Sequence, residues 1–183
     1  VTARAMNGEL DFAGALRERV ALLSGLAASV VGEVLEARIT EAPGGRTLVA
    51  TMKAHGARTL LVSGGFTAFS GPVAERIGFD THQANRLLEE NGRLTGAVAE
   101  PILGRDAKVV ALEAAAARLG LGTEDSIALG DGANDLGMLA RAGMGVAMHA
   151  KPAVAAQCDL RINHGDLTAA LYLQGYGQAE FAQ

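Results

Sequence analysis

Two carboxylates and a carboxamide stand within five residues in Leu129-Gly130-Asp131-Gly132-Ala133-Asn134-Asp135. Hard oxygen donors of this kind suit Mg2+, which keeps several waters and binds through one or two carboxylates plus a substrate phosphate. Gly-Asp-Gly alone is an ordinary turn, because both residue types favour turns for backbone reasons. Here it directly follows the strand-like run Ser126-Ile127-Ala128-Leu129 and precedes a helical pattern. In open α/β sheets, ligands sit beyond such strand ends. A dinucleotide fingerprint is excluded, since Asp135 occupies the place of its third glycine.

Val62-Ser63-Gly64-Gly65 is a second candidate. A hydroxyl, unobstructed backbone N–H groups and the start of a following helix converge there, as a phosphate cradle requires. Lys108 opens a helix, at the end where a cation opposes the macrodipole, and a phosphate to neutralise would explain it. Arg17 and Arg19 share a helical segment, and either could grip a carboxylate in bidentate fashion. His55, His82, His149 and His164 are dispersed without metal-ligand spacing and read as structural or exposed. Cys158, the single cysteine, reads as a small buried apolar residue and rules out an intramolecular disulfide framework.

The elements that must position these groups follow from apolar spacing. Phe12, Leu16, Val20 and Leu23 recur at helical intervals, so residues 10–23 form an amphipathic helix. Further helices are expected over 27–37 and 43–56, after Gly65 to about Ile77, over 108–119, over 152–156 and over 166–171, and Asp131 to Ala142 is expected as a loop entering a helix. Strands are expected at 58–62, 126–129, 145–148 and 159–162. Asn91-Gly92, between two apolar segments, signals a hairpin near 84–98. Strands alternating with helices predict an α/β fold: a parallel sheet with helices on both faces. The all-helical opening predicts a small cap over residues 1–40, beside a core over 41–175 that includes the hairpin, with 176–183 a tail.

Composition narrows the function. Among 183 residues 49% are hydrophobic but only 4% aromatic, with no Trp, so the core rests on Ala, Val, Leu and Ile. A net charge of −4 without a basic cluster gives no footprint for nucleic acid. No run approaches the roughly 20 apolar residues of a membrane span. Nor does the opening Val1-Thr2-Ala3-Arg4-Ala5-Met6 lead into a signal-peptide core. The expected setting is cytoplasmic, without a membrane or nucleic-acid partner. A start at Val rather than Met suggests an upstream segment.

Ser63-Gly64-Gly65-Phe66, Lys108 and Gly130-Asp131-Gly132-Ala133-Asn134-Asp135, in that order, resemble the second, third and fourth motifs of haloacid dehalogenase-type phosphatases. The stretch Ala5-Met6-Asn7-Gly8-Glu9-Leu10-Asp11-Phe12, continuing to Leu23, resembles the cap of the phosphoserine phosphatases. Ala84-Asn85-Arg86-Leu87, Gly92-Arg93-Leu94-Thr95-Gly96 and His149-Ala150-Lys151-Pro152 add to that likeness. The resemblance implies a Rossmann-like core and Mg2+-dependent hydrolysis of L-phosphoserine to L-serine and phosphate, the last step of serine synthesis. It also implies that Ser63, Gly64 and Lys108 hold the phosphoryl group and that Asn134 touches it. Asp131 would ligate Mg2+, with Asp135 orienting the metal site. Arg19 would grip the substrate carboxylate, with Met6 and Phe12 over the serine moiety. The family's first motif, Asp-x-Asp-x-Thr, occurs nowhere in these residues. The nucleophilic aspartate and the aspartyl-phosphate it would form are therefore expected from an upstream segment, and the chain alone is expected to be unstable and inactive. A phosphotransferase using phosphoserine, or a non-catalytic phospho-ligand module, are the alternatives.

Overall fold

Apolar side chains pair helices with strands in two units, seen in a computed structural model that describes residues 12–182. The first unit is described from Phe12. It takes in residues up to Thr40 together with Leu61–Arg76 and His82–Gly104. The second comprises Glu41–Leu60, Ile77–Thr81 and Arg105–Gln183.

In the first unit, α1 (Phe12–Ala21) buries Ala15, Leu16 and Val20. Its partner is the hairpin of β3 (Leu87–Glu90) and β4 (Arg93–Val98), and Leu16 and Val20 pack with Val98, Phe66, Leu87 and Ile102. The hairpin register pairs Leu87 with Val98 and Glu90 with Arg93, with an irregularity between Leu87 and Glu89. Its turn is the expected Asn91-Gly92, both at positive φ (50° and 72°), which matches the twist of the flanking strands. The sequence assigned this hairpin to the core; in the structure it packs against α1. Helix α2 (Val30–Arg38) begins later than the expected residue 27. Before it, the Gly25 N–H donates to Leu94 O (2.9 Å), the Leu94 N–H to Leu26 O (2.9 Å) and the Ala28 N–H to Gly92 O (2.9 Å). Residues 25–28 therefore lie along β4 and spend on it the backbone groups that a helical turn would use.

Also in this unit, β1 (Leu60–Phe66) pairs with β2 (Thr81–Asn85), and α4 (Thr67–Ile77) follows β1 directly. Ser63-Gly64-Gly65 was expected as a loop after a strand ending at Val62. It is instead the last part of β1, because pairing with β2, an element the sequence did not suggest, extends the strand.

The second unit is built on a parallel sheet in the order β5-β6-β7, with β5 (Ile127–Gly130), β6 (Met144–Met148) and β7 (Leu160–Ile162). Ile127 pairs with Met144, Gly130 with Ala147, and Met148 with Ile162. Strand side chains alternate between faces, and both faces are covered. Ala128 and Ala147 pack with Cys158 and with Leu139 of α6 (Leu136–Arg141) on one side. On the other, Val146 and Ile162 pack with Leu48 of α3 (Gly45–Ala54) and Ala170 of α8 (Ala169–Leu173). Fully burying a side chain such as Val146 or Leu171 stabilises by roughly 1.5–3 kcal/mol each. The fold class is α/β with helices on both faces of a parallel sheet, as expected. Helix α5 (Asp106–Arg118) packs on α6, and α7 (Pro152–Ala155) joins β6 to β7. The residues read as a tail are tied down: the Ala182 N–H donates to Oγ1 of the buried Thr51 (2.9 Å), and Tyr176 lies against His55.

Candidate active site

A carboxylate beside a cation, both withdrawn from water, organises the second unit. Asp135 is 2% exposed. Its Oδ1 accepts a charge-assisted hydrogen bond from Lys108 Nζ, and its Oδ2 accepts the backbone N–H groups of Asp131 (3.1 Å) and Gly132 (3.0 Å). One side chain thus closes the turn after β5 and fixes a lysine 27 residues away in sequence. The glycine before the turn is required: a Cβ on Gly130 would stand 2.5 Å from the Asp135 Cβ. Lys108 lies in the first turn of α5, the unfavourable end expected from sequence. Asp135 supplies the compensation.

Asp131 and Asn134 stand exposed on the same turn. Among the described residues no three His, Cys, Asp or Glu side chains gather into a metal-binding group. The Asp131 carboxylate has no hydrogen-bond or ion-pair partner among the described residues. One free carboxylate on an exposed turn fits Mg2+, which takes few protein ligands and fills its remaining positions with water and substrate oxygens. It does not fit a cation needing an all-protein cage.

In the first unit, the hydroxyl of Ser63 accepts the Gly65 N–H (3.0 Å), and the chain at Gly64 approaches the ring of Phe12. A Cβ at Gly64 would lie 3.7 Å from Phe12 Cζ, and one at Gly104 would lie 3.7 Å from Phe12 Cδ1. Phe12, 44% exposed, is therefore seated over Gly64 and Gly104 with one edge open. Arg19 follows Phe12 by seven residues, which at roughly 100° per residue returns it to the same face of α1. Arg17, five residues on, points roughly 140° away. Its guanidinium meets Glu100 (2.7 Å), whose carboxyl Arg17 and the Ile102 N–H hold below the usual range. Arg19 is exposed and forms no ion pair among the described residues. Helix phase thus separates two arginines that composition leaves equivalent. Met6 lies outside the described residues.

The structure places Phe12, Arg19, Ser63 and Gly64 in the first unit, and Lys108, Asp131, Asn134 and Asp135 in the second. Within the first it joins Phe12 to Gly64, and within the second Lys108 to Asp135 and the Asp131 turn. Sequence reasoning missed the use of Asn85, which ends β2 at 2% exposure with its amide on the backbone at Gly64 and Leu103. A polar residue ending a half-buried segment, after Ala84, was the available signal. None of the four histidines joins these groups: His82 bonds Ser70 (2.9 Å) and His149 bonds Gly165 O (2.9 Å).

A family model described as haloacid dehalogenase-like hydrolase matches residues 2–140. A phosphoserine phosphatase of Streptomyces coelicolor is 48% identical over 181 residues, covering 98% of this chain and 44% of that protein. An unliganded probable phosphoserine phosphatase from Vibrio cholerae superposes with a TM-score of 0.90 at 37% identity, over 95% of this chain and 54% of the other. A substrate-bound phosphoserine phosphatase complex aligns at TM-score 0.84 and 38% identity, over 94% and 81%. The chain spans about half the length of the first of these relatives.

Proposed function

The chain belongs to the haloacid dehalogenase-like hydrolase family, and we propose that the intact protein hydrolyses L-phosphoserine to L-serine and phosphate with Mg2+. One observation carries the choice of substrate. Phe12 sits over Gly64, and Arg19 lies on that same helical face, free of any ion pair among the described residues. An apolar lid, a guanidinium for a carboxylate, and a Ser-Gly-Gly strand end for a phosphoryl group match the three parts of a phosphorylated amino acid. The similarity to phosphoserine phosphatases supports the same reading.

In this proposal Ser63 donates its hydroxyl, and Gly64 its unobstructed backbone, to the phosphoryl oxygens. Lys108 adds positive charge, held in place by Asp135, which itself stays off the metal. Asn134 offers its amide to the phosphoryl group, and Asp131 is the ligand this chain gives to Mg2+. The ion, when bound, supplies positive charge beside the phosphoryl oxygens. Phe12, with Met6 nearby in sequence, covers the serine moiety and excludes water from it. The nucleophile is an aspartate of a segment outside this chain, and its aspartyl-phosphate divides the reaction into two steps. A solved relative described as a phospho-aspartyl intermediate analogue of phosphoserine phosphatase is consistent with that route. The compartment we propose is the cytoplasm.

Phosphate release from L-phosphoserine by the intact protein, with Mg2+ and with a chelator, tests the reading. We expect metal-dependent turnover from the intact protein and none from the 183-residue chain alone. Turnover by this chain alone would overturn the assignment of the nucleophile. An intact protein that is folded, metal-loaded and inert toward L-phosphoserine would overturn the assignment of function.

A further inference from the structure

The polar side chain most deeply placed beside the Ser-Gly-Gly strand end is that of Asn85, 2% exposed at the end of β2. Its Nδ2 donates to Gly64 O (3.1 Å) and reaches Leu103 O (3.4 Å). Its Oδ1 accepts the Leu103 N–H (2.7 Å). The amide is thus fully used, and every one of its bonds goes to backbone.

We propose that Asn85 is a positioning residue that fixes the orientation of the Gly64–Gly65 peptide, and through it the phosphoryl-binding capacity of the strand end. The inference rests on the role proposed above for Ser63 and Gly64. In a trans peptide the carbonyl oxygen and the next N–H point in opposite directions. With the Gly64 carbonyl drawn onto Asn85, the Gly65 N–H must face the other way, and it does, donating to Ser63 Oγ (3.0 Å). The peptide therefore presents a donor on the side of the Ser63 hydroxyl. A flip would put a carbonyl there, against a phosphoryl oxygen. Glycine on both sides lowers the steric cost of such a flip at this end of β1, and Asn85 adds a side-chain bond to the restraint that pairing with β2 provides. Asn85 is the only side chain bonded to the Gly64 carbonyl among the described residues. A hydroxyl residue would be too short, and an aspartate would place a negative oxygen where the amide donor stands.

The test is the isosteric Asn85→Asp in the intact protein, with the dissociation constant of inorganic phosphate and the KM for L-phosphoserine measured against wild type from pH 5 to 8. At pH 8 the variant carboxylate cannot donate to Gly64 O. Phosphate affinity should fall on the order of tenfold to a hundredfold, the scale on which misplacement of a binding group acts. Burial beside two carbonyl oxygens favours the neutral form of the new carboxyl. Acidification therefore protonates it and restores an O–H donor for Gly64 O, while its second oxygen still accepts the Leu103 N–H. The ratio of variant to wild-type affinity should therefore recover toward one as pH falls, while thermal stability does not track the recovery. Taking the ratio removes the titration of phosphate itself. Wild-type affinity at pH 8 in the folded variant would overturn the proposal, and so would a loss that stays constant across the pH range. Failure of the wild type to bind phosphate at all would instead overturn the functional reading beneath it.

Discussion

Lys108 stands in the first turn of a helix, where the backbone already concentrates positive partial charge. It is retained there by Asp135, and the two side chains are only 13% and 3% exposed. Removing one partner of such a pair leaves the other charge without compensation in a poorly hydrated place. We expect Asp135→Asn to destabilise by roughly 3–5 kcal/mol and to weaken phosphate binding, with urea denaturation and phosphate titration as the measurements. The two arginines of α1 make a sharper comparison. Arg19→Ala should raise the KM for L-phosphoserine on the order of a hundredfold, with little effect on phosphoethanolamine, which lacks the carboxylate. Arg17→Ala, which removes an exposed pair with Glu100, should leave that ratio of substrates unchanged. The existence of both arginines is plain in the sequence, and the phase of a regular helix is enough to rank them. The partner that occupies Arg17 is not, because Glu100 is 83 residues away.

At the scale of elements, close approach decides as much as hydrophobic pattern. Gly130 ends β5, and a methyl group there meets Asp135, so Gly130→Ala should cost roughly 1–3 kcal/mol through overpacking. It should also loosen the turn that presents Asp131. A parallel fall in denaturation midpoint and in Mg2+-dependent activity would be the expected pair of results. The hairpin was legible because its turn is local chemistry: Asn91 and Gly92 tolerate the positive φ that a two-residue turn demands. Strand β2 was not, since Thr81-His82-Gln83-Ala84-Asn85 has no strong alternation and is a strand because β1 lies beside it. The same pairing carries β1 through two glycines that would otherwise end it. Residues 25–28 are the converse case: their helical propensity yields to hydrogen bonds with β4.

For the whole molecule, acidic carboxylates set one boundary of stability. The hydroxyl and N–H of Thr168 hold Asp166 below the usual carboxylate range, and Arg17 does the same to Glu100. Burial pushes Asp80 up, but the N–H and hydroxyl of Thr59, with Lys53, outweigh it and hold that carboxyl low as well. A depressed folded-state pKa contributes stability that is present above the unfolded value and is lost as pH falls through the folded one. Melting temperature should therefore drop as pH is lowered below about 4, and Asp166→Asn should make that drop shallower. A melting temperature that is flat from pH 5 to 3 would contradict the assignment.

The sequence by itself determined the α/β class, the helical stretch that carries Phe12 and Arg19, the Asn91-Gly92 turn, and the Asp131–Asp135 segment at the end of a strand. The class follows from the alternation of elements along the chain, and each of the others depends on residues within about two helical turns of one another, where spacing and backbone preference act directly. Tertiary structure alone decided that Asp135 holds Lys108, that Glu100 occupies Arg17, that Phe12 covers Gly64, and that Asn85 takes the Gly64 carbonyl. These contacts join residues 21 to 83 positions apart. For Asp135 and Asn85, burial makes an unpaired polar group costly, so each must find its partner in space. The exposed Arg17–Glu100 pair and the Phe12 contact follow from which segments the fold brings side by side.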